Sequence, residues 1–167
     1  MLFFTACTRN FTSEQGRILK SRLVANCYLT VIAPDPNATV SLYFSDISLV
    51  YRDQCLISKL QVFDGLTDTS PLLTTACGHQ LPSPVFSTGR NILIKFTNTP
   101  GNSYMASFDI TYTTTTKGRG CGGTIFNYGG IFSSPFYPGN YRNNTICRWD
   151  ISVPVGNVIA IKFMGIL

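Results

Sequence analysis

Histidine, tryptophan and charge are all scarce in this sequence, which has one histidine, one tryptophan and 13% charged residues among 167. A Ser-His-Asp arrangement needs a histidine that a carboxylate orients. The sole candidate, His79, follows Cys77 and Gly78 in a predicted loop, where a solvated histidine is the better interpretation. No H-E-x-x-H motif is present either. We therefore predict no catalytic residues within this chain.

Long hydrophobic runs are also absent. A membrane-spanning helix needs about 18–20 apolar residues, whereas the apolar stretch Val158–Leu167 is short and contains Lys162. The apolar start, Met1–Phe4, is shorter than the roughly 7–15 residues of a signal-peptide core. The sequence thus predicts no membrane span in this segment. Because other features below indicate secretion, we expect the chain to be a fragment.

Positive charge is present but not concentrated. The net charge is +5, and most of the excess lies on separated residues of the last third, namely Lys117, Arg119, Arg142, Arg148 and Lys162. Proteins that follow a phosphate backbone present a dense basic patch instead. The pattern indicates a weakly basic surface and no nucleic-acid partner.

One short stretch holds Arg17, Lys20 and Arg22 among apolar residues. These cations could form a basic edge that meets an acidic partner or a sulfated glycan. Charged residues also discourage edge strands from pairing with other molecules. We favour the second interpretation.

The cysteines are even in number and widely spaced. All six are expected to form disulfides, and they stand at Cys7, Cys27, Cys55, Cys77, Cys121 and Cys147. A zinc site needs four nitrogen or sulfur ligands in close pairs, and no such pairs occur here. Disulfides form in oxidising compartments, so this pattern indicates a protein outside the cytosol.

Three tripeptides match the acceptor motif for N-linked glycosylation, N-x-[ST]. Their asparagines are Asn10, Asn37 and Asn143. Ordinary polar loop triplets are the alternative, since the motif is common by chance. Together with the paired cysteines, the three motifs predict a glycosylated extracellular protein, either secreted or the ectodomain of a membrane protein.

Alternation of apolar and polar residues predicts β-strands throughout. It is clearest in Val40–Phe44, Ile92–Phe96 and Phe108–Tyr112. In the second of these runs, apolar residues on both faces indicate burial on both sides. Turn-forming residues separate the runs, and no long helical periodicity is present. The predicted fold class is all-β, a sandwich or jelly roll.

The sequence contains an internal repeat. Cys27 and Cys147 each begin a C-x6-P motif that an apolar run follows. Two copies of one domain are therefore predicted, the first at 7–112 and the second, partial, at 121–167. Residues 113–120 are small and polar and form the predicted linker, although its threonines could instead complete the preceding strand.

The second copy resembles the opening of a CUB domain. That family's pattern is a cysteine, then G-x-[IF]-x-S-P-x-Y-P-x2-Y, then C-x-W-x-I, and it is matched from Cys121 to Ile151. The first copy resembles the same family through Cys27, Cys55, Cys77 and its last strand, Ser107–Tyr112. It lacks the S-P-x-Y-P segment and has Leu29 in place of the tryptophan.

The resemblance implies a jelly-roll-like sandwich of two antiparallel sheets, followed by a truncated second copy. It implies the bridges Cys7–Cys27, Cys55–Cys77 and Cys121–Cys147. It also implies an extracellular, non-catalytic module that binds a protein, or a glycan, within a multi-CUB protein. The alternative is the substrate-selecting region of a secreted CUB-containing protease whose catalytic domain lies outside this segment.

Many CUB domains bind calcium through a tyrosine and three acidic residues. In the first copy those acidic positions hold Val50, Ser58 and Asn98. Calcium takes six to eight oxygen ligands, several of them anionic, so we expect no metal or other cofactor there, although Asp46 and Asp53 could compensate. The second copy has the tyrosine, Tyr141, but its acidic positions fall outside the sequence.

Three tyrosines can be interpreted either as exposed contact residues or as packing residues. Tyr43, Tyr51 and Tyr104 could be exposed residues that contact a partner. Packing within a sandwich accounts for them equally well.

Overall fold

The structure, a computed structural model, describes residues 7–23, 26–50, 55–99, 106–126 and 129–164. Every regular element in these ranges is a β-strand, so the predicted all-β fold class is confirmed. In chain order the strands are β1 (Cys7–Phe11), β2 (Gln15–Leu23), β3 (Cys27–Ile32), β4 (Thr39–Ser48), β5 (Ser58–Phe63), β6 (Leu72–Ala76), β7 (Val85–Phe86), β8 (Asn91–Asn98), β9 (Ala106–Thr115), β10 (Gly123–Phe126) and β11 (Trp149–Ser152). No helix in the described ranges could span a membrane.

The strands of the first copy form two sheets. One has five strands in the order β1-β3-β8-β5-β6, and the other has four in the order β2-β9-β4-β7. All pairings are antiparallel except that of β1 with β3, which is parallel. The resemblance implied antiparallel sheets throughout. The exception arises because the Cys7–Cys27 bridge holds the first residues of both strands opposite each other.

The two sheets pack face to face around an apolar core. Alternate residues of β3 and β8, such as Leu29 and Ile94, face alternate residues of β4 and β9, such as Leu42 and Phe108, and all are fully buried. This is the packing of a β-sandwich, in which inward-facing residues of both sheets share one core. The period-two patterns in the sequence therefore identified the inner faces correctly.

Strand β8 is fully buried on its inner face and partly buried on its outer face, in line with its mixed composition. It lies between β3 and β5, and Leu93, on the face away from the core, is also buried. Lys95 on the same outer face is half-buried. Central strands that are covered on both sides typically carry such continuous apolar runs.

The first threonines of the predicted linker 113–120 belong to strand β9, which is the alternative that the sequence left open. Its first three residues extend β9 and pair with β4, where Thr113 lies opposite Ser41 and Thr115 opposite Thr39. Threonine is β-branched and suits an extended, partly buried strand, so the threonine run completes the sheet. The non-strand connection therefore starts at residue 116.

We expect Phe108→Ala to lower the free energy of unfolding by about 3–5 kcal/mol, the usual cost of truncating a buried phenylalanine. Phe108 is fully buried in the core, with its ring 6.2 Å from that of Phe96. Urea denaturation followed by circular dichroism measures the change. Leu66→Ala is the control, because Leu66 is largely exposed. Equal losses in the two variants would contradict this assignment of the core.

Candidate functional site

Three disulfides cross-link the chain. The structure contains Cys7–Cys27, Cys55–Cys77 and Cys121–Cys147, the pairs that the family resemblance implied. They close loops of 20, 22 and 26 residues. In the chain-entropy model each such bridge stabilises the fold by roughly 3 kcal/mol.

The second copy begins with the same ladder as the first. Strands β10 and β11 run parallel, with Gly123 opposite Trp149, two residues beyond the bridged pair Cys121–Cys147. In the first copy Arg9 lies opposite Leu29, again two residues beyond a bridged pair. Leu29 thus occupies the position of Trp149, as the sequence comparison of the two copies predicted.

The second copy packs on the outer face of the four-stranded sheet. Tyr43 and Phe86 of the first copy and Ile125 of the second form a buried apolar cluster. Phe132, Trp149 and Ile151 of the second copy pack against it. We call these six residues the junction cluster. The indole nitrogen of Trp149 donates a hydrogen bond to the Tyr43 hydroxyl at 3.2 Å.

Polar contacts and close backbone approach extend the junction beyond this cluster. The Thr124 hydroxyl donates to the side-chain carbonyl of Gln15 on β2 at 2.7 Å. Gly123 adopts φ +135°, and a Cβ atom there would overlap the side chain of Thr113. Only glycine satisfies both conditions without strain. The contact therefore depends on backbone shape as well as on apolar burial.

The connection between the copies is itself anchored. Arg119 donates two hydrogen bonds to the carbonyl oxygen of Phe86, at 3.2 Å from Nε and 2.7 Å from Nη2. The Cys121 N–H donates to the Gly118 carbonyl at 3.1 Å. Two hydrogen bonds from a charged guanidinium to one carbonyl oxygen restrict the side chain more than a single bond does. The segment between the copies is therefore fixed to β7 by Arg119.

Comparison with known proteins accounts for this architecture. The sequence model of the CUB domain matches residues 4–112 and 121–166. The chain belongs to the CUB domain family. Human Cubilin is 37% identical over 138 residues, which are 83% of this chain and 4% of that protein. The Cubilin homolog of Drosophila melanogaster is 37% identical over 158 residues, 93% of this chain and again 4% of that protein.

A solved structure shows the same fold. The CUB1-EGF-CUB2 region of human MASP-1/3 superposes with a TM-score of 0.55 at 21% identity, covering 66% of this chain and 43% of that one. Since this chain spans only about 4% of the length of its Cubilin relatives, it corresponds to a small part of proteins of that size. The fold and the CUB family membership are thus shown.

The acidic positions through which many CUB domains bind calcium hold uncharged residues in the first copy. Ser58 and Asn98 lie opposite each other where β5 and β8 pair, and both are buried. Neither carries a charge, and Val50, at the third acidic position, offers no oxygen from its side chain. Asp46 is exposed on β4, opposite Asp109, and Asp53 lies outside the described residues. The three positions therefore supply no carboxylate, and the absence of calcium from the first copy stays a prediction.

His79 is exposed in the turn that follows Cys77. Among the described residues there is no group of three or more His, Cys, Asp or Glu that could hold a metal ion. Catalytic chemistry at His79 would need an orienting carboxylate. The structure therefore offers no observation that favours a catalytic role for this side chain.

The basic stretch on β2 is only partly available to a partner. Arg17 forms a two-pronged ion pair with Asp109 of β9, at 2.9 Å from Nε and 2.7 Å from Nη2. Asp109 is buried, whereas Arg17 is exposed over nearly half of its side chain. Lys20 is half-buried, and the side chain of Arg22 lies outside the described residues. This favours a charged edge strand over a site for an acidic ligand.

The three glycosylation motifs lie at different places on the surface. Asn10 is exposed on β1, Asn37 is exposed in the turn between β3 and β4, and Asn143 is exposed in the loop before β11. Each side chain is accessible enough to carry a glycan in the folded protein. Their modification stays a prediction.

Sequence reasoning did not anticipate the junction. It left Tyr43 as either a contact residue or a packing residue, and the structure shows it buried between the copies. Tyr51 and Tyr104 lie outside the described residues. A usable signal was present, since Tyr43 interrupts the polar face of β4 with a large aromatic side chain. Gln15 and Phe86 carried no comparable signal.

Burial at the junction affects the chemistry of Tyr43. Removal from water raises the pKa of its hydroxyl above the ordinary 10.0, and the hydrogen bond from Trp149 lowers it by a smaller amount. The folded state therefore favours the neutral phenol. Its contribution to stability is complete below pH 10 and is lost as the pH rises through the raised pKa.

We expect Tyr43→Phe to loosen the junction without unfolding the sandwich. Trp149 loses its acceptor, at a cost of about 1 kcal/mol for a half-buried donor. Trp149 is the sole tryptophan, so its fluorescence should shift to longer wavelength and acrylamide should quench it more strongly. The control is Tyr28→Phe, on the other sheet. Unchanged emission and quenching in Tyr43→Phe would contradict the contact.

We expect no saturable calcium binding by the first copy in the micromolar range, because it lacks carboxylates at the three acidic positions. Isothermal titration of chelator-treated protein with CaCl2 measures this, and MgCl2 serves as the control for nonspecific heats. A calcium isotherm with a micromolar midpoint would overturn the expectation.

Proposed function

We propose that this chain is a non-catalytic, extracellular binding region of a larger multi-CUB protein. We further propose that it binds a protein ligand through the outer face of the five-stranded sheet. The observation that carries this proposal is the difference between the two outer faces of the first copy. The second copy covers much of the four-stranded sheet, whereas the five-stranded sheet presents exposed apolar side chains.

Those apolar side chains lie on the outer face and on the adjoining loop between β5 and β6. Tyr28 on β3 is 36% exposed, Leu66 in the loop 54% and Leu72 on β6 52%. Between them in the sheet lie neutral polar residues, including Gln61 and Thr75. Aromatic and aliphatic residues with neutral polar neighbours are typical of the centre of a protein–protein interface.

The loop that carries Leu66 is ordered by polar contacts. Asp68 forms an ion pair with Lys95 of β8 at 2.8 Å, so the loop reaches across the outer face of the sheet. At its other end, Asp64 accepts hydrogen bonds from the N–H and the hydroxyl of Thr88, at 3.0 and 2.8 Å. A loop that is already ordered pays less conformational entropy when a ligand binds.

The charged residues on the outer face of the five-stranded sheet favour a protein ligand over a sulfated glycan. The hydrogen bond and charge of Lys95 lower the pKa of Asp68, and Asp68 in turn raises the pKa of Lys95. The lysine ammonium also lies 5.5 Å from the centre of the Tyr28 ring. Its charge is thus already engaged, whereas a polyanion is bound by free clustered cations.

Three disulfides and three exposed glycosylation motifs support an extracellular location. The same modules could serve as the substrate-selecting region of a secreted protease. That alternative depends on a catalytic domain outside these residues. Sequence of the full-length transcript distinguishes the two.

We expect the double substitution Leu66→Asp and Leu72→Asp to weaken ligand binding at least tenfold, since buried carboxylates would oppose an apolar contact. The chain, displayed as a multimer, is screened against a library of purified extracellular domains, and affinities for each ligand found are measured by surface plasmon resonance. Leu19→Asp is the matched control, because Leu19 is 57% exposed on the other sheet.

Two outcomes would contradict the proposal. One is a ligand whose affinity falls with Leu19→Asp and is unchanged by the double substitution. The other is the absence of any ligand in the library when a control CUB protein of known specificity finds its own.

A further inference from the structure

The sandwich of the first copy ends in four edge strands, and three of them are protected. Strand β7 has only two residues, and the carbonyl oxygen of one of them, Phe86, already accepts hydrogen bonds from Arg119. Strand β6 lies beside the segment 81–85, which contains two prolines. Proline lacks the N–H that a pairing strand needs. Strand β2 carries the basic residues Arg17 and Lys20 and contacts β10 of the second copy.

Strand β1 is different. It pairs with β3 on one side and forms the outer edge of the five-stranded sheet. Thr8, Arg9 and Asn10 are all exposed on it. Arg9 lies over the ring of Phe11 at 5.0 Å, on the side of the strand that faces the core. An exposed strand of this kind can pair with a strand of another molecule.

Asn10 lies on the face of β1 that points away from the core. It lies opposite Thr30, which is flanked on β3 by the buried residues Leu29 and Val31. Successive side chains of a strand point to opposite faces, so Asn10 and Thr30 share the outer face of the sheet. Asn10 also begins the motif Asn10-Phe11-Thr12, in which Thr12 is exposed as well.

We infer that Asn10 carries an N-linked oligosaccharide that shields the β1 edge from pairing with other molecules. This inference rests on the proposed extracellular location, because the sugar donor belongs to the secretory pathway. The chemistry is a transfer from a lipid-pyrophosphate oligosaccharide. A bond forms between the amide nitrogen of Asn10 and the anomeric carbon, the nitrogen loses a proton, and the lipid pyrophosphate leaves.

A glycan at Asn10 is compatible with the proposed ligand face. Strand β1 and strand β6 are at opposite edges of a five-stranded sheet, so Asn10 and Leu72 are separated by four strand spacings, about 19 Å. The oligosaccharide would cover the β1 side and leave the β6 side open. Loss of the glycan should therefore change self-association, and the drop in ligand affinity caused by Leu66→Asp with Leu72→Asp should be the same with and without it.

The chain offers matched controls for this role. Asn37 is exposed in a turn and not on an edge strand, so Asn37→Gln removes a glycan without uncovering a strand. Thr12→Ala removes the motif at Asn10 while keeping the asparagine. The pair of changes Thr8→Asn and Asn10→Thr moves the acceptor by two residues along the same exposed face of β1.

The experiment expresses the whole chain behind an added secretion signal in mammalian cells. Glycosidase treatment converts each occupied asparagine to aspartate, and peptide mass spectrometry then reports occupancy at the three motifs. Self-association of the purified variants is measured by size-exclusion chromatography with light scattering at equal concentration. We expect Asn10→Gln and Thr12→Ala to raise the oligomeric fraction about threefold over the parent. Asn37→Gln and the shifted acceptor should match the parent.

An unoccupied Asn10 beside occupied Asn37 and Asn143 overturns this inference and leaves the extracellular proposal in place. An occupied Asn10 whose removal leaves self-association unchanged also overturns it. Three unoccupied motifs in a secreted chain would overturn the inference together with the glycoprotein part of the proposed function. Full occupancy, with self-association that rises only in the variants that lack a glycan on β1, supports it.

Discussion

Strands β4 and β9 are buried on both faces, and this double burial determines how the rest of the molecule is arranged. One face contributes to the core of the sandwich, with Leu42 and Phe108 fully buried. On the other, Tyr43 and Thr113 are covered by the start of the second copy. Strands that are covered on both sides cannot also serve as a free surface, which is why we propose the five-stranded sheet for ligand contact.

The parts of the fold that depend on local pattern could be predicted from the sequence. Alternation identified the inner faces of β4, β8 and β9, because the side chains of a strand alternate between core and outer face. The disulfide pairs could not be derived from spacing alone, since six cysteines allow fifteen connectivities. They followed from the resemblance to the CUB family, and the structure has the same pairs.

The junction could not be predicted in the same way. Trp149 and Tyr43 are 106 residues apart, and Thr124 and Gln15 are 109 apart. No local pattern reports such pairs. The threonine run was ambiguous for a different reason, because small polar residues suit both a linker and a partly buried strand. Contact of Thr113 with Ser41 across the sheet decided in favour of the strand.

The contact between the copies joins two dissimilar surfaces, the outer sheet face of one copy and the leading strands of the next. A head-to-tail contact of this type, repeated without ring closure, generates a screw axis. Wherever successive copies in a longer protein dock in this way, their relative orientation is fixed, in contrast to domains that flexible linkers join. Each copy is then rotated by a fixed angle relative to the one before it, and the junction sets that angle.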